Sequence, residues 1–253
     1  MQSRLTIDRG NTALKAAVWR SGSDDRPEEL VSLPADASVA DVADAIGTCG
    51  GYYAVAYSSV VKSRREADLA ALSRMSERVI VVSSSVKLPF RNLYATPATL
   101  GADRIAALAG AVALGATETA GFVVADLGTA ATYDYLRRDS EGLCYCGGNI
   151  APGVPLRLHS LAEHTAALPE VSPELAPGGG IWGRSTADAL LNGAVFGVLA
   201  ELSFYRAACP DGTQTVLTGG GAEYLVRNNL IKFDHIYDPY LVMRGLNHII
   251  NEN

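Results

Sequence analysis

Two short carboxylate turns carry most of the chemistry in this chain. The first is Asp8-Arg9-Gly10-Asn11-Thr12, set between Leu5-Thr6-Ile7 and the run Ala13-Leu14-Lys15-Ala16-Ala17-Val18-Trp19. An apolar run into an aspartate, a tight polar turn and a second apolar run predict a β-hairpin with a chemical tip. Gly10 has no Cβ, so an anion can come close to the backbone there. The N–H groups of Gly10, Asn11 and Thr12, with the Asn11 and Thr12 side chains, can donate to phosphate oxygens. A carboxylate repels phosphate, so Asp8 is expected to work through Mg²⁺ or its waters. D-x-G-x-T is short, and a plain hairpin with a polar turn reads the same way.

A second copy favours the phosphate reading. Phe122 to Tyr133 repeats the design around Asp126-Leu127-Gly128-Thr129, 118 residues after Asp8 and so near half the chain length. A third glycine turn, Thr218-Gly219-Gly220-Gly221, follows another short apolar strand. Two such hairpins and a late glycine turn suggest a duplicated α/β domain with a nucleotide between its halves. The pattern resembles the superfamily of actin, heat-shock chaperones and sugar or acetate kinases.

A third candidate is Asp103-Arg104, which follows the Tyr94 to Gly101 loop and opens the alanine-rich run Ile105 to Leu114. At a helix start an aspartate can be an N-cap, and position alone favours that reading. The cap accounts for neither the adjacent arginine nor the preceding tyrosine loop.

The elements that must position these residues follow from periodicity and turn signals. Helices are expected over Val39 to Ile46 and over Arg64 to Glu77, the second with Leu69, Leu72 and Met75 on one face. Tyr53 to Val60 reads as a buried strand, and Val79 to Val82 as a short parallel one. This βαβ rhythm places helices on the faces of a sheet. After a polar turn at 137–142, Gly147-Gly148-Asn149-Ile150-Ala151-Pro152-Gly153 reads as a sharply shaped loop. Helices follow from Val154 to His164, from Ala187 to Tyr205 and after Pro239, with surface loops at 21–29 and 169–180. His159 and His164, five apart, do not share a helix face and read as ordinary structural or exposed histidines. Gly193 and Gly197, four apart, would let another backbone approach, either a neighbouring helix or a second subunit. The division expected is 1–117 and 118–253, with the terminal helix free to pack back on the first half.

Composition sets outer bounds. The chain has 253 residues, 48% of them hydrophobic, enough for two modest cores. A net charge of −6 argues against nucleic acid or an anionic membrane as main partner. Met1-Gln2-Ser3-Arg4 leads straight into a strand, so no signal peptide is expected, nor any apolar run of membrane length. Cys49, Cys144, Cys146 and Cys209 are then expected to be reduced thiols. Cys144-x-Cys146 has the wrong spacing for a zinc knuckle.

Six blocks resemble type III pantothenate kinases: 8–12 (DRGNT), Tyr94 and Pro97 with 100–104 (LGADR), 126–132 (DLGTAAT), 147–153 (GGNIAPG), 183–190 (GRSTADAL) and 218–225 (TGGGAEYL). They stand in the family's order and run end to end, and 100–104 with 126–132 is the most specific pair. The resemblance implies two duplicated RNase H-like, actin-like ATPase domains with the nucleotide in the cleft between them. It implies ATP-dependent phosphorylation of the primary hydroxyl of pantothenate, the first step towards coenzyme A. The ATP residues would be Asp8, Arg9, Gly10, Asn11, Thr12, Ala13, Leu14 and Lys15, with Thr129. Pantothenate would be held by Tyr94, Gly101, Ala102, Asp103 and Arg104, with Thr186 closing the site. Asp103 would be the general base, and Asp126 would bind a monovalent cation, K⁺ or NH₄⁺, with Mg²⁺ accompanying ATP. Family members are cytoplasmic homodimers.

One departure stands out. The family's first motif usually has an apolar residue where this chain has Arg9. Solvent, a neighbouring carboxylate and the nucleotide are all open to that arginine. Two rival readings remain: another small-molecule kinase of the superfamily, and a non-catalytic relative that keeps the fold.

Overall fold

A computed structural model describes residues 3–20, 26–47, 51–115, 119–173 and 180–253. Cys49 and parts of the 21–29 and 169–180 loops lie outside the described residues. The contacts divide the chain into two units: 1–118, 138–146 and 240–253 in the first, 119–137 and 147–239 in the second.

In the first unit β1 (Ser3–Arg9) and β2 (Ala13–Arg20) form the expected antiparallel hairpin, with Asp8 opposite Lys15. β3 (Glu29–Pro34) adds antiparallel to β2, while β4 (Ala54–Ser59) and β5 (Val79–Val81) add in parallel on the other side. The order is β3-β2-β1-β4-β5. α1 (Val39–Ile46) is closed by a Ser38–Asp41 capping box and ended by Gly47 at φ 74°. With α2 (Arg65–Met75) it covers one core, where Leu72 and Met75 pack with Leu5, Ile7 and Leu14. α3 (Ala102–Ala113) and α7 (Leu241–Glu252) pack on each other and against β4. A Cβ on Gly110 would collide with the Leu241 carbonyl, and one on Gly245 with the Ala106 carbonyl, so these two glycines set the close helix crossing.

The second unit repeats this plan. β7 (Gly121–Leu127) and β8 (Ala130–Asp139) form the second antiparallel hairpin. β10 (Thr213–Thr218) lies parallel to β7, and β11 (Ile236–Tyr237) parallel to β10. The sheet these strands belong to also takes β9 (Gly142–Pro152), whose first residues count with the first unit, and the short β6 (Arg91–Asn92) of that unit, in the order β11-β10-β7-β8-β9-β6. Leaving out β6, this is the first sheet's order again, a duplicated RNase H-like α/β fold. α4 (Val154–His164), α5 (Thr186–Ala207) and α6 (Gly220–Arg227) cover the second core, built on Leu127, Leu158, Leu191, Val195 and Leu225.

Three expectations change. The 147–153 block is strand as far as Pro152, because β9 keeps its place in the sheet through the glycines. Gly153 is the shaped point: its N–H donates to the Thr129 carbonyl at 2.9 Å, and a Cβ there would strike Gly128. Gly193 faces open space and Gly197 faces the Arg157 side chain, so among the described residues neither meets a neighbouring backbone. Finally, α5 has 22 residues and a mean hydropathy of 1.4 over its most apolar window, long and apolar enough to cross a membrane by length and composition. Its Leu190, Leu191, Ala194, Val195, Val198 and Leu202 are instead buried in the second core.

Candidate active site

In each unit the carboxylate sits at the carboxyl end of the central strand, beside the end of a parallel neighbour. Asp8 pairs with Ser58 of β4, and Asp126 with Thr218 of β10. This is where the order of an open α/β sheet reverses, and such points are where ligands bind. The two turns differ in length: Gly10 donates to the Ala13 carbonyl at 2.9 Å, whereas Gly128 donates to the Ala130 carbonyl at 3.0 Å. Asn11, Thr12, Lys15 and Thr129 are exposed on these hairpins.

Asp8 Oδ1 is buried without a hydrogen-bond partner, and so is Ser58 Oγ. Burial pushes the Asp8 carboxyl up to about 6; the neighbouring Ser58 hydroxyl and Lys15 pull it down, and the negative charge of Asp103 pushes it further up. An orphaned carboxylate oxygen and a hydroxyl oxygen on neighbouring strands are oxygen donors of the kind a hard divalent cation takes.

Asp103 is not the N-cap of α3. Gly101 holds that place without a side-chain bond, and Asp103 lies in the first turn, where its Oδ1 accepts from the Arg104 N–H at 2.9 Å. A Cβ on Gly101 would collide with Asp103 Oδ1, so a larger residue there would displace the carboxylate. Arg104 is 5% exposed and lies 5.8 Å from the centre of the Tyr94 ring. Its Nη2 donates to the Tyr145 hydroxyl at 2.7 Å, and the Tyr94 and Tyr145 rings stand 5.6 Å apart. The first unit therefore brings Tyr94, Asp103 and Arg104 together with a residue that sequence reasoning missed. Tyr145 lies 41 positions from Arg104, and no local signal marks it.

Arg9 resolves to the carboxylate among its three options. The side chain is fully buried: Nε contacts Asp68 Oδ2 at 2.5 Å, Nη2 contacts Oδ1 at 2.9 Å, and the guanidinium donates to the Ala35 and Ala37 carbonyls. Tyr57 donates to the same carboxylate at 2.6 Å. The Arg9 side chain is thus removed from the ATP set, because every one of these contacts lies in the core behind the turn. The Leu14 side chain is fully buried among Leu5, Ile7 and Val18, so only its backbone can meet ATP.

In the second unit Gly219, at φ 89°, packs its backbone against Asp126 and Leu127; a Cβ would stand 2.6 Å from Asp126 Oδ1. The third glycine turn is therefore fitted to the second aspartate. Thr186 is the exposed first residue of α5, behind the cap Ser185, whose Oγ accepts from the Asp188 N–H at 3.1 Å. It lines a shallow apolar groove with Arg157, Leu161 and Ala189.

The sequence profile of the type III pantothenate kinases matches residues 4–205. The chain belongs to that family. It is 34% identical over 257 residues to a type III pantothenate kinase of Porphyromonas gingivalis strain W83, with 100% of both chains covered. A type III pantothenate kinase of Chlorobium luteolum is 32% identical, over 98% of this chain and 94% of that one. Among solved structures, a candidate 2-dehydro-3-deoxygalactonokinase of Sinorhizobium meliloti superposes with a TM-score of 0.59 at 12% identity, over 98% of each chain. Apo ParM of psk41 gives 0.53 at 9%, over 98% and 96%. These two share the fold. Family membership makes the chain a kinase, with ATP and its Mg²⁺ as the phosphoryl source, and Asp8 with Ser58 has the oxygen donors to meet that cation.

Proposed function

We propose that this chain phosphorylates the primary hydroxyl of pantothenate with ATP, the first step of coenzyme A biosynthesis, with Asp103 as general base. The carrying observation is the placing of Asp103 and Arg104 with Tyr94 and Tyr145 in the unit that also presents the Asp8 turn. Phosphoryl transfer needs positioning and charge neutralisation more than covalent help. The Mg²⁺ that accompanies ATP neutralises phosphate charge. Asp8 anchors that charge at the first turn, and the backbone N–H groups of Gly10, Asn11 and Thr12 donate to phosphate oxygens, with Lys15 and Thr129 as further ATP residues of this reading. Arg104 pairs with the substrate carboxylate, Gly101 and Ala102 lie along the acceptor, and Thr186 is a further pantothenate residue of this reading. Asp103 takes the proton of the attacking alcohol, a step worth roughly 10²–10⁴ in rate. Residues 1–117 and 118–253 are the two domains of this reading.

Tyr145 positions Arg104. Tyr145→Phe keeps the ring against Tyr94 and removes the hydroxyl. A hydrogen bond to a charged group contributes about 1.5–3 kcal/mol. The expected result is a pantothenate KM raised about tenfold or more, with the ATP KM unchanged. Equal changes in both constants would show a general loss of structure instead.

Asp126 binds the monovalent cation, K⁺ or NH₄⁺, in this reading. Wild-type turnover of ATP and pantothenate should rise with K⁺, and Asp126→Ala should need far more K⁺ and ATP. An unchanged K⁺ dependence in the variant would remove Asp126 from that role. The same assay with a panel of alcohols in place of pantothenate tests the reaction itself: transfer to sugars but not to pantothenate would favour another kinase of the superfamily.

The protein is further read as a cytoplasmic homodimer, with no nucleic acid or membrane as partner. Ile181, Trp182 and Phe204 are exposed apolar side chains beside or on α5, with relative exposures of 67%, 87% and 69%. The alanine-rich α3 does not support pairing, since Ile105 to Ala111 are buried within the first unit. Light scattering at micromolar concentration should give twice the chain mass; a value near 26.6 kDa would reject the dimer.

A further inference from the structure

We propose that Cys144 and Cys146 are a redox-active dithiol that closes to an internal disulfide by exchange with a small-molecule disulfide, and that closure draws Tyr145 away from Arg104. The effect on catalysis rests on the function proposed above; the thiol chemistry does not.

The two sulfur atoms stand 3.9 Å apart on β9. Alternate residues of a strand share a face, so the thiols lie on one side and the Tyr145 ring on the other. Cys146 is exposed and gives a reagent access, while Cys144 is buried beside it. Cys144 Sγ lies 3.5 Å from Asp139 Oδ2, an acceptor for its S–H. The Cys146 thiolate attacks one sulfur of the reagent, releasing one thiol and leaving a mixed disulfide. The Cys144 thiolate then attacks Cys146 sulfur and expels the second thiol. One protein S–S bond forms and the reagent's S–S bond breaks. The protein loses two electrons and two protons, and the reagent gains both.

Closure has a mechanical consequence. Strand residues two apart have Cα atoms roughly 6.6 Å from each other. A disulfide usually holds its Cα atoms at about 5.5–6 Å, with about 6.8 Å as the upper end. Bonding the pair therefore pinches the strand at its middle residue, which is Tyr145. The Tyr145 carbonyl accepts from the Leu93 N–H at 3.1 Å, and β6 is paired across from Cys144 and Tyr145. The Tyr145 hydroxyl holds Arg104, and its ring packs on Phe90 and Tyr94. Bending β9 here shifts the phenol that orients the arginine and disturbs the strand leading into Tyr94.

The native, reduced protein is treated with glutathione disulfide, blocked with N-ethylmaleimide and digested with trypsin. Residues 139–157 form one tryptic peptide holding only these two cysteines. The proposal predicts this peptide unblocked, free of glutathione and two hydrogens lighter. Cys144→Ser should instead trap glutathione on Cys146. In the intact chain, a peptide that stays glutathionylated or doubly blocked overturns the dithiol. The oxidised enzyme should show a pantothenate KM raised about tenfold or more, by loss of a charged hydrogen bond. Dithiothreitol should reverse it, and Cys146→Ser should keep normal activity and not respond. A closed disulfide with an unchanged pantothenate KM overturns the coupling to Tyr145. If the reduced enzyme does not phosphorylate pantothenate at all, the functional reading fails while the peptide mass still decides the thiol chemistry.

Discussion

Asp103→Asn should fold and melt like the wild type while its kcat falls by roughly 10²–10⁴, the usual share of general base catalysis. The structure sharpens this expectation. Asp103 is not the cap of α3, since Gly101 stands at that position, and its Oδ1 accepts from the Arg104 N–H. An asparagine carbonyl oxygen can accept that bond as well as a carboxylate oxygen can, so helix stability should hold. Asparagine cannot take a proton from an alcohol near neutral pH. ATP affinity should change little, because the turn at Asp8 to Thr12 is untouched. A variant that melts normally and turns over at near the wild-type rate would remove Asp103 as the base while leaving the fold intact.

The second large effect belongs to Asp8, where stability and function should move in opposite directions. Burial, helped by the negative charge of Asp103, pushes its carboxyl up to about 6 in the folded protein, against 3.8 for an ordinary aspartate. Between those values the folded state holds a proton that the unfolded state has released. Stability of the ligand-free protein therefore falls as pH rises from about 4 to about 6, and the cost of the buried charge persists above that. Asp8→Asn removes the titration. Its ligand-free stability should be flat across that window and exceed the wild type at pH 7.5 by about 1–3 kcal/mol. Its ATP affinity with Mg²⁺ should fall about 10–100-fold, for loss of a charged contact. Denaturant unfolding at several pH values checks the first part, and parallel wild-type and variant curves would contradict it.

What was legible in the sequence is what local chemistry writes. Both hairpins follow from apolar runs around D-x-G turns, and α1 and α4 were bounded correctly at Val39–Ile46 and Val154–His164 by their periodicity and flanking signals. Duplication could be read from spacing, and the matching strand orders bear it out. What was not legible depends on contacts far apart in the chain. Arg9 finds Asp68 59 positions away, and Arg104 finds Tyr145 41 positions away. Neither partner carries a motif. Gly147-Gly148 looked like a turn because glycine is common in turns, whereas the neighbouring strands hold it in β9. Gly193 and Gly197 looked like a packing face by spacing alone, while the tight crossing is built by Gly110 and Gly245, 135 residues apart.

Arg9 also shows how a departure from a family pattern can be neutral for chemistry. The usual apolar residue would fill that core position by burial alone. Here a bidentate ion pair with Asp68 and two carbonyl acceptors satisfy the buried guanidinium, and the Tyr57 hydroxyl donates to the Asp68 carboxylate. Removing one partner of such a pair leaves an uncompensated charge, so the two are expected to change together.

The most direct measurement of the central claim is a crystal structure with pantothenate and a non-hydrolysable ATP analogue. The account predicts the primary hydroxyl of pantothenate within about 2.6–3.2 Å of an Asp103 carboxylate oxygen, the reach a general base requires. It also predicts the pantothenate carboxylate on Arg104, with Tyr94 and Tyr145 alongside. Pantothenate bound with its hydroxyl away from Asp103, and another group at that distance, would contradict it.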